Sequence, residues 1–237
     1  MNARKGRAAA IFLAILLAAS CLLIIPGCGG QKSVGDIWQD MLKADKTIKS
    51  MHMNITMSYE NTKFGSGQIE GTSVDISGDD VHMQKYLFGQ DFAEVIKVNG
   101  KQYSRTMGSD KWTEVSVTVN AQSAVDENGQ LSNLPSLSSA SENQGVVTLD
   151  GTSAYHLTFT IPPENVNSVF SSVPAAELTA NSGAKVDVWI DKDKFYTLKY
   201  EAVINNVLIT DQIGYADRRI VNTVSQINEA ITITAPI

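Results

Sequence analysis

The chain has 237 residues, 43% of them hydrophobic and 19% charged, with 19 Lys+Arg against 25 Asp+Glu and a net charge of −6. That length supplies one sizeable domain or two small ones, and the composition excludes a disordered polyelectrolyte and a polytopic membrane protein. The acidic balance argues against nucleic acid, whose binders carry a basic excess to neutralise phosphates. Three His and two Cys, scattered, leave little material for a metal site, and no cofactor is implied.

The first segment reads as an address. Arg4, Lys5 and Arg7 form a basic stretch, and Ala8 to Ile25 is an uncharged, mostly apolar run that ends at Ile25-Pro26-Gly27-Cys28. An apolar residue three places before a Cys and a Gly directly before it resemble a bacterial lipobox. There the Cys thiol is diacylated and a signal peptidase cuts before it. The reading is a signal peptide over 1–27, an acylated Cys28 with a tether to residue 33, and a single domain over 34–237. Cys21, after Ala18-Ala19-Ser20, is a second possible site, inside the apolar run rather than at its end. The competing reading is an uncleaved anchor, for which the run is near the lower length limit. Both place the domain outside the cytoplasm, at the cell membrane. Loss of Arg4, Lys5 and Arg7 takes the 19 basic residues to 16 against 25 acidic ones, a net charge of −9. The one remaining Cys is acylated, so no disulfide is available and the core alone must hold the fold. Two acyl chains suffice for stable membrane attachment where one is marginal.

Val34 to Lys49 is read as a helix, with Val34, Trp38, Met41, Leu42 and Ile48 on one stripe and Ser33 as cap. The period then changes to two. Met51, Met53, Ile55, Met57 and Tyr59 alternate with polar residues, the pattern of a half-buried strand. Further strands are expected near 67–77, 80–88, 91–98, 101–107 and 111–118. Asn99-Gly100 is a strong two-residue hairpin signal. Residues 119–144, rich in Ser, Asn, Gly and Pro, read as a loop with short helical turns, either a lid or a plain solvated insertion. Strands resume at 145–150 and 153–161. Pro162-Pro163 stops the second and opens a helix carrying Val166, Val169, Phe170 and Val173, and a short turn follows Pro174. The remaining strands are read at 184–191, 195–204, 207–217, 218–226 and 229–234. Strands without βαβ alternation imply an antiparallel sheet, and one so long must curl, close or be covered. The expected architecture is α+β, one strongly curved antiparallel sheet of about eleven strands, a half-barrel wrapped around a few helices.

Three stretches carry a resemblance: Val95 to Tyr103 followed by Asp110-Lys111-Trp112-Thr113; Val186-Asp187-Val188-Trp189-Ile190-Asp191; and Asn228 to Pro236. After a lipobox and one amphipathic helix, they resemble the LppX/LprG-type lipoproteins of mycobacteria and relatives, within the LolA/LolB-like superfamily of lipoprotein and lipid carriers. The resemblance runs from Val34 to Pro236. It implies a half-barrel closed by helices, with acyl chains of a lipid or glycolipid held in an apolar cavity between the two.

On that reading Met53, Ile55 and Met57 offer one cavity stripe, Leu157, Phe159 and Ile161 a second, and Val166, Val169, Phe170 and Val173 face them from a helix. Methionine is adaptable and suits a promiscuous apolar surface. For any single one of these residues ordinary core packing is the favoured account, since most buried apolar side chains simply pack. A catalytic site finds no support. There is no Gly-x-Ser-x-Gly elbow. His52, His82 and His156 fall at strand positions that are polar by alternation, so each is expected on the surface or a cavity rim. Asp191-Lys192-Asp193 lacks the Gly and distal Glu of a calcium loop and reads as a turn. Arg218-Arg219 reads as a solvated strand end. Three functions remain: a membrane-anchored carrier of acyl lipid or glycolipid, passing it to an envelope transporter or acceptor protein; a non-transporting sensor or protein-docking module of the same fold; and an envelope hydrolase with no visible catalytic group.

Overall fold

Eleven strands pair into one open sheet whose order is β6-β5-β4-β3-β2-β1-β11-β10-β9-β8-β7, with every neighbouring pair antiparallel. The computed structural model describes residues 31–106, 108–116, 130–171 and 173–236. The expected signal peptide, Cys28, residues 117–118 of the strand expected at 111–118 and residues 119–129 of the expected loop lie outside the described residues. The elements are α1 (Val34–Asp45), β1 (Ser50–Thr62), β2 (Gly65–Ser77), β3 (Asp80–Leu87), β4 (Gln90–Val98), β5 (Lys101–Thr106), β6 (Thr113–Val115), α2 (Leu134–Leu137), β7 (Ala140–Leu149), β8 (Thr152–Ile161), α3 (Pro163–Val169), β9 (Ala184–Asp191), β10 (Thr197–Thr210) and β11 (Gly214–Ser225). A short 3₁₀ turn, Gln130–Asn133, leads into α2, and another, Ala175–Glu177, follows Pro174.

Antiparallel order sorts the turns between two ends. The lower end carries the two-residue turns Asn99-Gly100 and Asp150-Gly151. The upper end carries the turns at 63–64, 88–89 and 211–213. Asn99-Gly100, Asp150-Gly151 and Phe88-Gly89 all hold positive φ at both residues, the geometry that matches strand twist. Asn and Asp tolerate this region, whereas an aromatic pays for it.

The sheet's inner face is apolar because the strands alternate. Leu157, Phe159 and Ile161 of β8, Val186, Val188 and Ile190 of β9, and Ala202, Ile204 and Val207 of β10 are all buried there. Helices cover this part. Ser33 caps α1 by accepting from the Asp36 backbone N–H, and Ile37, Trp38 and Met41 point into the core. The Trp38 ring meets Phe159 edge-on, 5.1 Å between centroids, and its Nε1–H donates to the Ser132 carbonyl at 3.3 Å. One residue therefore ties α1 to both the sheet and the segment before α2. At the lower end of β1, Met51 and Met53 join Val74, Ile76 and Val81 in a second, separate cluster.

Several boundaries differ from expectation. Helix α1 ends at Asp45 rather than Lys49, where the Thr47 N–H donates to Ala44 O, and Ile48 packs in the second cluster. Residues 140–144, expected in the loop, belong to β7. The Asn143 side chain accepts from the Gly145 N–H beside a bulge, which lets a polar stretch stay in the ladder. Of the strand expected at 111–118, only Thr113–Val115 pairs among the described residues. The three segments at 195–204, 207–217 and 218–226 are two strands. Asn205-Asn206 looked like a turn but lies at a bulge: Asn206 has φ 55°, its N–H donates to Asp217 Oδ1, and its carbonyl accepts from Ser182. The real turn is Asp211–Ile213, closed by Gly214 at φ 85°. Residues 229–234 are no strand. They follow a strap in which Asn228 Oδ1 accepts from the Lys49 N–H and Ser50 Oγ donates to Glu229 O. Ile233 then packs on Ile96, Val98 and Tyr103 of the outer face.

Two outcomes are expected. Trp38→Ala removes the ring that spans three elements and costs about 3–5 kcal/mol, read as a lower midpoint in denaturant unfolding. Phe88→Asn restores a favoured turn residue and stabilises by about 1 kcal/mol, read in the same assay.

Candidate functional site

β1 is the strand from which the inner face is best described. Its odd-numbered residues Met51, Met53, Ile55, Met57 and Tyr59 point inward, and their partners Val224, Asn222, Ile220 and Arg218 on β11 point the same way. Met53 is fully buried in the lower cluster. Met57 is buried in the main cluster, and Ile55, half-buried, packs against that same cluster. The two clusters thus abut along β1, and the seam between them crosses Met53, Ile55 and Met57. Leu157, Phe159, Ile161, Val166, Val169, Phe170 and Val173 all sit in the main cluster, where α3 and the residues after it face β8. Of the ten expected cavity residues, eight therefore lie in the main cluster, Ile55 packs against it and Met53 belongs to the other. Beyond β1 the inner face is mixed: the same register places Met83 and Leu87 of β3 and Val95 of β4, all half-buried, among Glu70 of β2, Lys85 of β3 and Lys97 of β4.

Two polar residues of β11 are buried on this face beside β1, and sequence reading missed both. Asn222 is fully buried. Arg218 is 8% exposed and not a solvated strand end as expected: its Nε donates to Met57 Sδ at 2.7 Å and its guanidinium lies 5.8 Å from the Tyr59 ring centre. Burial pushes the Tyr59 hydroxyl above its ordinary pKa, while the Arg218 charge opposes the rise. The signal was available in register: Arg218 is an even residue on a strand whose Ile220, Asn222 and Val224 face inward. Arg219, one place on, points outward and pairs with Glu60 at 3.2 Å and Glu201 at 2.7 Å.

The three histidines are on the outer face, each beside a carboxylate. His52 Nδ1 lies 2.7 Å from Asp75, His82 Nε2 lies 2.7 Å from Glu94, and His156 Nε2 lies 2.8 Å from Asp187. Arg105 completes the second pair on Glu94. His156 also stacks on Trp189 with centroids 4.7 Å apart. A pocket of about 220 Å³ opens on this outer side beside Phe92, Glu94, Arg105 and Asp110. No group of three or more His, Cys, Asp or Glu with metal-holding geometry occurs among the described residues.

At the lower end Asp45, the last residue of α1, is the one carboxylate among the described residues with a strongly raised pKa, at about 6. Burial is the main cause, opposed by hydrogen bonds from Thr197. Its Oδ1 has no hydrogen-bond partner among the described residues. Because the folded pKa lies above the ordinary carboxylate value of 3.8, the folded state favours the protonated form. The stability this contributes is full below pH 3.8 and is lost as pH rises towards 6 and beyond. Asp45→Asn is expected to match the parent near pH 4 and to exceed it by about 3 kcal/mol at pH 7, measured by denaturant unfolding at both pH values.

The family model described as LppX_LprAFG lipoprotein matches residues 35–233. Among solved structures, the lipoprotein LppX of Mycobacterium tuberculosis superposes with a TM-score of 0.55 at 16% identity, covering 85% of this chain and 100% of that one. LprF from Mycobacterium bovis gives 0.53 at 18% identity, covering 87% and 99%. A LolA superfamily protein from Nitrosomonas europaea gives 0.29 at 10% identity, covering 85% and 95%. No curated protein matches the sequence. At these identities LppX and LprF establish the fold.

Proposed function

The chain belongs to the LppX_LprAFG lipoprotein family, and from that premise we propose that it is anchored through acylated Cys28 on the extracytoplasmic side of the membrane, where it holds an acyl lipid or glycolipid against the sheet's inner face. The observation that carries the reading is the inner face itself, two apolar clusters that meet along a seam on β1. Met53, Ile55 and Met57 border that seam, and Met83, Leu87 and Val95 extend it across β3 and β4. An acyl chain laid there meets methionines that adapt to its shape and no carboxylate that it must desolvate on β1. Ten buried methylenes contribute about 8 kcal/mol, enough to offset much of an association cost of about 4–15 kcal/mol. Residues 34–237 act as one lipid-binding domain on this reading, and carriage to an acceptor or transporter follows from release at the same seam.

The full-length acylated protein, measured by native mass spectrometry and then extracted with organic solvent, is expected to carry a non-covalent mass that partitions as acyl lipid. A clean mass that persists after phospholipid is added would leave the protein-docking module of the same fold as the reading. Ile55→Trp fills the seam from a half-buried position and is expected to lower lipid occupancy while thermal unfolding stays cooperative. Cys28→Ser is expected to abolish incorporation of labelled fatty acid into the protein.

A further inference from the structure

Four of the five large hydrophobic residues most exposed among the described residues are aromatic and lie at one end of the strands. Phe64 is 77% exposed in the β1–β2 turn, Phe88 is 70% exposed in the β3–β4 turn, Phe92 is 48% exposed at the start of β4, and Tyr215 is 50% exposed at the start of β11. All are at the upper end. The β1–β2 and β10–β11 tips are joined there, since Lys63 Nζ donates to the Gln212 carbonyl and stands over the Phe64 ring.

The turn chemistry separates this end from the other. Where the lower end uses Asn99-Gly100 and Asp150-Gly151, the upper end uses Phe88-Gly89 with Phe88 at φ 51°. Phe195, at the lower end, also has positive φ (61°), but its ring stacks on Tyr155 with centroids 6.0 Å apart. Packing offsets the strain at Phe195. Phe88 bears the same strain with its ring in solvent, as residues do where the strained conformation serves a contact outside the fold.

Helix α1 supplies the direction. Trp38 meets Phe159, near the upper end of β8, and Asp45 meets Thr197 at the lower start of β10. The N-terminal end of α1 therefore points upward, and Ser33 is five residues from Cys28, a reach of at most about 18 Å. On the anchoring reading above, that places a bilayer within reach of the end that bears the aromatics.

We propose that the upper hairpin tips, led by Phe64 and Phe88, dock into the surface of a lipid bilayer. Rings at tips enter the headgroup and upper acyl region, where aromatic side chains are favoured. Lys63 stands against Asp91 and Asp211 at this end, one base to two acids, so no basic excess draws it to anionic lipid and docking is apolar. The inner face then opens towards the membrane from which a lipid is drawn.

The test uses the full acylated protein in phosphatidylcholine vesicles with brominated acyl chains. In Phe64→Trp the added tryptophan emission is quenched, and in Lys194→Trp, at the lower end, it is not. Equal emission from the two variants while the protein stays vesicle-bound overturns the docking and leaves the anchor standing. Quenching that appears only when anionic lipid is added also overturns it. Loss of covalent lipid from Cys28, read by mass, overturns the anchor instead. Phe88→Asn gives the independent arm. It folds with higher stability, and in a non-acylated Cys28→Ser chain made without residues 1–27, so that the apolar leader does not itself hold the vesicle, it lowers vesicle affinity about tenfold. Unchanged affinity there overturns the role of Phe88.

Discussion

The whole structure depends on one constraint: an open antiparallel sheet of eleven strands has an apolar face too long to leave in water. Twist curls such a sheet, and the concave side must be filled by something. Here the filling on the β8–β11 side comes from α1, the segment around α2, and α3 with the residues after it. Trp38 is the shared contact, reaching Phe159 on the sheet and Ser132 beside α2. On β1–β3 the apolar residues gather instead in a smaller cluster of their own. That division puts a seam at β1, and the functional reading rests on it.

Alternation made the faces legible from sequence. The run Met51 to Tyr59 alternates cleanly enough to place Met53, Ile55 and Met57 on one face, and Tyr155 to Ile161 does the same on β8. Asn99-Gly100 marked its hairpin because its chemistry and its backbone geometry agree. Failures came where chemistry and geometry part. Asn205-Asn206 carries turn residues in a bulge, and β7 opens with Ala140 to Gln144, polar residues of an edge strand that nothing apolar announces. Arg218 was misplaced because charge was weighed before register. Its neighbours Ile220 and Val224 fix its face, and a buried arginine on that face is not visible in composition.

The outer face has its own order. Ionisable side chains run across neighbouring strands, from His52 and Asp75 through His82 to Glu94 and Arg105, and again from His156 and Asp187 past Trp189 to Lys199 and Glu201. Exposed pairs of this kind contribute little stability each. They do keep a broad, half-solvated surface free of apolar patches, which concentrates the exposed aromatics at the hairpin ends.

The pairing at the centre of the sheet has a further effect. β1 bonds to β11, so that His52 stands opposite Ser225. The sheet's two halves are joined only through strands from the beginning and the end of the domain. Closing so long a loop is slow, because the entropy is lost before the contacts form. Until the last strand is present, the β1–β6 meander keeps β1 as an unpaired edge. The order of strands alone therefore makes the central pairing the last to close.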